Sequence, residues 1–229
     1  MSSIDKRATA KLILILICVV LFWNSIFLYP LKVLVVMFHE FSHGFAAILT
    51  GGSIVEIQLS PQQGGLCVTI GGNRFLTLTA GYLGSLLCGG FILVMAARTD
   101  LDEIISWVLG IFMIVMALLY VRPFMSFGFI FVCVTGAAMI AAGEFLSERA
   151  NDLILKTIGL TSCTYAILDI KSDVLDRPEL RSDAVMLARE VGGNSVVWGV
   201  LWILVGLAAS AWFLKIATAG EKRRAMSNT

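Results

Sequence analysis

His39 and His43 are the only two histidines in this 229-residue chain, and they stand four residues apart with Glu40 beside the first. On a helix, residues four apart lie about 40° from each other around the axis and one turn apart along it. Two imidazoles so placed can converge on one metal ion, while Glu40 can reach a water at that metal without being a ligand. That is the mechanical content of H-E-x-x-H: two ligands and a general base from a single helical turn. The same pattern also arises by chance on soluble helices, where its side chains are solvated or ion-paired. Here the flanks are Val33-Leu34-Val35-Val36-Met37-Phe38 and Phe45-Ala46-Ala47-Ile48-Leu49. A carboxylate near a bilayer centre costs ~3 kcal/mol even on lenient scales, so it persists only when paired or put to use.

Imidazole and carboxylate ligands suit Zn2+, and a catalytic zinc needs three protein ligands plus an open position. The third ligand must come from elsewhere in the chain. Among acids in apolar surroundings, Asp169 in Tyr165-Ala166-Ile167-Leu168-Asp169-Ile170 ranks first. Asp173, one turn further, is the reserve, and Glu144 is the weaker choice. The five cysteines form no C-x-x-C pair and sit mostly in apolar runs, so they read as small hydrophobes rather than ligands.

Positioning such a site inside lipid requires apolar helices of about 20 residues. Runs of that kind lie near 12–29, 31–49, 75–97, 104–121, 124–142 and 195–216. Segment 153–170 contains Lys156 and reads as partly embedded. Between the second and third runs, Val55, Ile57 and Leu59 alternate with polar residues, as do Leu66, Val68 and Ile70, around a Pro61–Gly65 turn. That period predicts a small β-hairpin, one whose edge an extended substrate could join. The expected fold is therefore an all-α polytopic transmembrane bundle of about six helices, residues 1–229 forming one membrane domain, with a β-hairpin after the second helix.

Composition agrees. Hydrophobic residues make up 58% and charged residues 14%, with a mean hydropathy of +0.89, whereas a soluble domain carries about 25% charged residues. A lipid-facing surface accounts for the shortfall. The net charge of +1 argues against nucleic acid as a partner. Lys6, Arg7 and Lys11 at one end and Lys222, Arg223 and Arg224 at the other predict cytoplasmic N- and C-termini.

The chain resembles the site-2-protease family of intramembrane zinc metallopeptidases, and within it the compact peptidase-like branch. The resemblance extends from Leu31 to about Leu207. It rests on His39-Glu40-Phe41-Ser42-His43-Gly44 with Gly51-Gly52, and on Thr79-Ala80-Gly81-Tyr82-Leu83-Gly84-Ser85. It continues through Leu168-Asp169-Ile170 with Asp173, then Ser182-Asp183-Ala184, then Trp198-Gly199. It implies His39, His43 and Asp169 as zinc ligands, Glu40 as catalytic base, and a transmembrane protein as substrate. The chain departs from better-known members at Ile170, where they carry a glycine. Two other classes compete with the peptidase: a non-proteolytic metal-binding scaffold or chaperone, and a metal transporter. Transporters usually string acids or histidines along repeated halves. This sequence concentrates them at one locus.

Overall fold

Pro30 sets where the central helix begins. Its ring fixes φ and lacks an N–H, both harmless in a first turn, and the helix labelled α2 runs Tyr29–Leu49. In the computed structural model, which describes residues 6–177 and 181–227, α1 (Lys6–Leu21) precedes it. The hairpin of β1 (Ser53–Leu59) and β2 (Gly65–Ile70) follows. Then come α3 (Arg74–Arg98), α4 (Asp102–Tyr120), α5 (Phe127–Phe145), α6 (Glu148–Ile170), α7 (Asp183–Val191) and α8 (Ser195–Ser227). Six of the described helices are long and apolar enough to cross a membrane. The side chains of Arg7, Lys222, Arg223 and Arg224, on which the expected orientation rests, lie outside the described ones.

The number six agrees with the sequence, but its membership differs. The run expected over 12–29 gives a helix that stops at Leu21, short of the ~20 residues a span needs. Asn24 and Ser25 favour turns over helix interior, and the Ser25 N–H donates to the Phe22 carbonyl at 2.8 Å. Conversely, 153–170 belongs to an apolar helix that runs Glu148–Asp176. Lys156 does not interrupt it, because Asp152 one turn earlier takes its charge at 2.9 Å. The last turns of that run, Lys171–Asp176, widen into a π-helix.

The hairpin forms as its alternation predicts, antiparallel with Ser53 opposite Ile70 and Leu59 opposite Gly65, and a bulge between Ile54 and Glu56. Gly51, at φ +87°, ends α2 in a conformation that L side chains resist. The hairpin then folds back along α2, where Tyr29 donates from its hydroxyl to the Pro61 carbonyl at 2.8 Å. β1 is held on its far side as well, since the Arg122 N–H donates to the Ile57 carbonyl at 2.9 Å.

Two apolar clusters matter to the site. Met37, Phe38 and Phe41 of α2 pack with Ile57, Met113, Val132 and Leu155, which fixes the helix against the hairpin, α4, α5 and α6. Leu78 and Tyr82 of α3 pack with Ile170, Val174, Leu187 and Trp202. This second cluster pins the short amphipathic α7 beneath the bundle. Large apolar side chains such as Phe27, Leu49 and Phe145 remain more than 80% exposed, as a lipid-facing belt requires.

Candidate metal centre

The His39 and His43 imidazoles turn the same way from α2, and their Nε2 atoms lie 3.0 Å apart. Asp183 Oδ2 completes a triangle, 3.0 Å from His39 Nε2 and 3.2 Å from His43 Nε2. Among the described residues these three form the group whose ligand atoms all lie within 4.8 Å of one another. A tetrahedral zinc with bonds of about 2.0–2.1 Å spaces its ligand atoms about 3.3 Å apart, so the donor set fits that ion. The tautomer fits too. His43 Nδ1–H donates to the Thr77 carbonyl at 2.7 Å, which leaves the Nε2 lone pair for a metal and fixes the ring plane. Against the pair, α3 presents Gly81. A Cβ there would stand 2.5 Å from Nε2 of both histidines.

Asp183 arrives by a local capping device. The Ser182 hydroxyl accepts from the Val185 N–H and starts α7, which places Asp183 in the first turn. Ala184 and Leu187 are buried in the cluster under α3. Burial alone would raise the Asp183 carboxyl. The His43 charge and the hydrogen bonds from His39 and His43 outweigh it and hold the group well below the usual carboxylate range.

Glu40 stands beside this triangle but outside it. It is 5% exposed, and the Cys67 backbone N–H of β2 donates to its carboxylate. Gly65 of the same strand leaves the space that the carboxylate fills, since a Cβ there would overlap it. The hairpin is thus what orients the glutamate. Burial, then the charges of Glu40 and Asp183, push the Cys67 thiol up to about 12.

All four residues border a cavity of about 790 Å3. Its floor is α2, one wall is β2, and the other wall is built by α3, α6 and α7. Its size falls in the range of ligand pockets, and its lining mixes charged, polar and apolar side chains.

The sequence ranked Asp169 as third ligand; among the described residues the structure brings Asp183, and not Asp169, within reach of the two imidazoles. Asp169 lines the cavity and is hydrogen-bonded by Tyr165. Asp173, the reserve, accepts from the Tyr82 hydroxyl at 3.3 Å and pairs with Arg177. Glu144 is exposed near the end of α5. Ranking by apolar context favours acids inside spans, whereas Asp183 sits in polar chain and becomes buried only when α7 folds under the bundle. The signals the sequence offered are the Ser-Asp start of a short amphipathic helix and the Ser182-Asp183-Ala184 segment of the family resemblance.

A bundle of apolar helices around a His-His-Asp cluster and a buried glutamate defines a multi-pass membrane protein with the donor set of a metallohydrolase. A family model described as Peptidase M50B-like matches residues 12–213, and the chain belongs to that family. Its members are membrane peptidases that depend on zinc in general. No curated protein and no solved structure matches the chain.

Proposed function

We propose that this protein is an intramembrane zinc endopeptidase, cutting peptide bonds in or near transmembrane segments of other membrane proteins. The observation that carries the reading is the convergence of His39, His43 and Asp183, with Glu40 buried beside them and excluded from their group. His39, His43 and Asp183 would hold the metal. Zinc, when bound, supplies Lewis acidity that polarises a carbonyl and makes a water easier to deprotonate. Glu40, fixed by the Cys67 N–H, takes the proton from that water and delivers it to the leaving nitrogen.

Cleavage at lipid depth also needs an unwound substrate, because a helix hides its carbonyls in its own hydrogen bonds. β2 suits this need. The Ile57 carbonyl is turned toward Arg122, so Ile57 and Cys67, which face each other, form a non-hydrogen-bonded pair. By alternation, Gly65 and Thr69 direct their N–H and C=O groups to the edge away from β1, where the Cys67 N–H is taken by Glu40. That edge borders the cavity and can accept an extended segment as a third strand.

The test uses full-length protein in lipid nanodiscs, wild type beside Glu40→Gln, incubated with a membrane-protein extract. New N-termini from transmembrane regions should arise with wild type alone, while both proteins carry one zinc per chain. Equal yields from the two, or none from wild type, would leave a metal-binding scaffold.

A further inference from the structure

Lys32 carries a charge that nothing described around it balances. It stands eight residues before Glu40, and with Val36, His39 and His43 it borders the same cavity along α2. The residue as a whole is 9% exposed. Among the described residues no carboxylate, carbonyl or hydroxyl accepts from its ammonium. What faces it is the Trp23 ring, with Nζ 5.1 Å from the centroid. A cation–π contact recovers only part of what burial of an ammonium costs, and it leaves the N–H donors unmet. The described carboxylates that border the cavity are already engaged: Asp183 with the two histidines, Asp173 with Arg177, Asp169 with Tyr165, Glu40 with the Cys67 N–H. Among the described residues none is left to meet the ammonium, which is free to take a counter-charge brought into the cleft by another molecule.

A lysine near a helix end often reaches for lipid headgroups. Here the hairpin stands in the way. Tyr29 holds the Pro61 carbonyl, and Gln62 and Gly64 of the turn border the cavity beside Lys32. The ammonium faces the cleft.

We propose that Lys32 is a specificity-determining residue that takes a carboxylate of the substrate, an inference that rests on the peptidase reading above. Eight helical residues separate it from Glu40 by about 12 Å, and an extended peptide advances about 3.3 Å per residue. The carboxylate therefore lies three to four residues from the bond being cut. Direction follows from the strand. β2 runs from the hairpin tip near Tyr29 toward the end of α2, so an antiparallel substrate runs the opposite way. Its residues near Lys32 are those after the scissile bond. An acidic side chain at that position, or the free C-terminus of a short tail, offers the same chemistry.

The test needs no known substrate. Fluorescent peptide hydroxamates, whose metal-seeking end fixes register, are bound to the zinc-loaded full-length protein in phosphatidylcholine nanodiscs. The third or fourth residue carries Asp or Asn, and a parallel pair ends there as a free acid or an amide. Asp should bind about tenfold more tightly than Asn, the margin of one charge-assisted hydrogen bond. The free-acid pair shows whether a C-terminus serves as well. Lys32→Met should erase the margin and Lys32→Arg should keep it, with zinc content confirming that each variant is folded. A margin that survives in Lys32→Met, or is missing from wild type despite zinc-dependent binding, overturns the assignment. So does a Lys32→Met protein that changes only in losing co-purified anionic phospholipid. Hydroxamates that ignore zinc altogether would fell the peptidase reading with it, a separable result.

Discussion

A Cβ on Gly81 would lie 2.5 Å from His43 Nε2, so the bare backbone of α3 is itself the wall against which the ligand pair rests. Gly81→Ala must push the imidazoles aside or separate α3 from α2. Overpacking of this kind costs about 1–3 kcal/mol, and the ligands are what must move. Zinc affinity, read by competition with a chelating dye, should fall at least about tenfold, since even outer partners of a ligand cost that much when lost. Unchanged affinity would mean that the rings swing clear without loss.

The third ligand is tested by two parallel substitutions. Asp183→Asn should weaken zinc binding by more than about 100-fold, beyond the range seen when outer partners of a ligand are removed. Asp169→Asn should leave zinc stoichiometry intact, because that carboxylate lines the cavity without joining the group. The reverse order would restore the ranking drawn from apolar context.

That contrast shows what was legible in the chain. His39, Glu40 and His43 share one helical turn, so local periodicity was enough to predict their convergence, and the apolar flanks supplied the reason for keeping them. The hairpin was legible for the same reason, its period of two being a local property. Asp183 was not, because its burial depends on Leu187 and Ala184 docking against Leu78 and Tyr82, contacts about a hundred residues apart in sequence. The spans divide in the same way. Hydropathy found the apolar runs. Ending α1 at Leu21 depended on turn bonds after it, and carrying the Glu148 helix through Lys156 depended on a paired charge.

Substrate docking on the hairpin edge can be separated from the integrity of the hairpin. Thr69 borders the cavity, and its N–H points by alternation away from β1. Thr69→Pro removes that donor while sparing the ladder to β1. Cleavage should drop several-fold, up to about tenfold, the weight of a hydrogen bond to a reacting chain, with zinc content unchanged. Val68→Pro deletes a donor aimed at β1 instead, so it should unseat the Cys67 N–H from Glu40 and lower thermal stability as well. Equal behaviour of the two variants would refute the assigned edge.

Cys67 offers a reading of the glutamate's environment that needs no substrate. Burial raises its thiol pKa first, then the negative charges of Glu40 and Asp183, up to about 12. A thiol is reactive as its thiolate, and a raised value keeps it neutral through the whole range where an ordinary cysteine ionises. Between pH 7 and 9.5 the rate of alkylation at Cys67, followed by peptide mass spectrometry, should therefore climb about tenfold per pH unit without levelling. An unperturbed thiol, with its pKa near 8.5, would level off. Glu40→Gln removes one of the charges that oppose thiolate formation, so at any fixed pH in that window Cys67 should react faster in the variant. A rate that levels near pH 9 in wild type, or is indifferent to Glu40→Gln, would place the carboxylate away from β2 and dissolve the link between hairpin and general base.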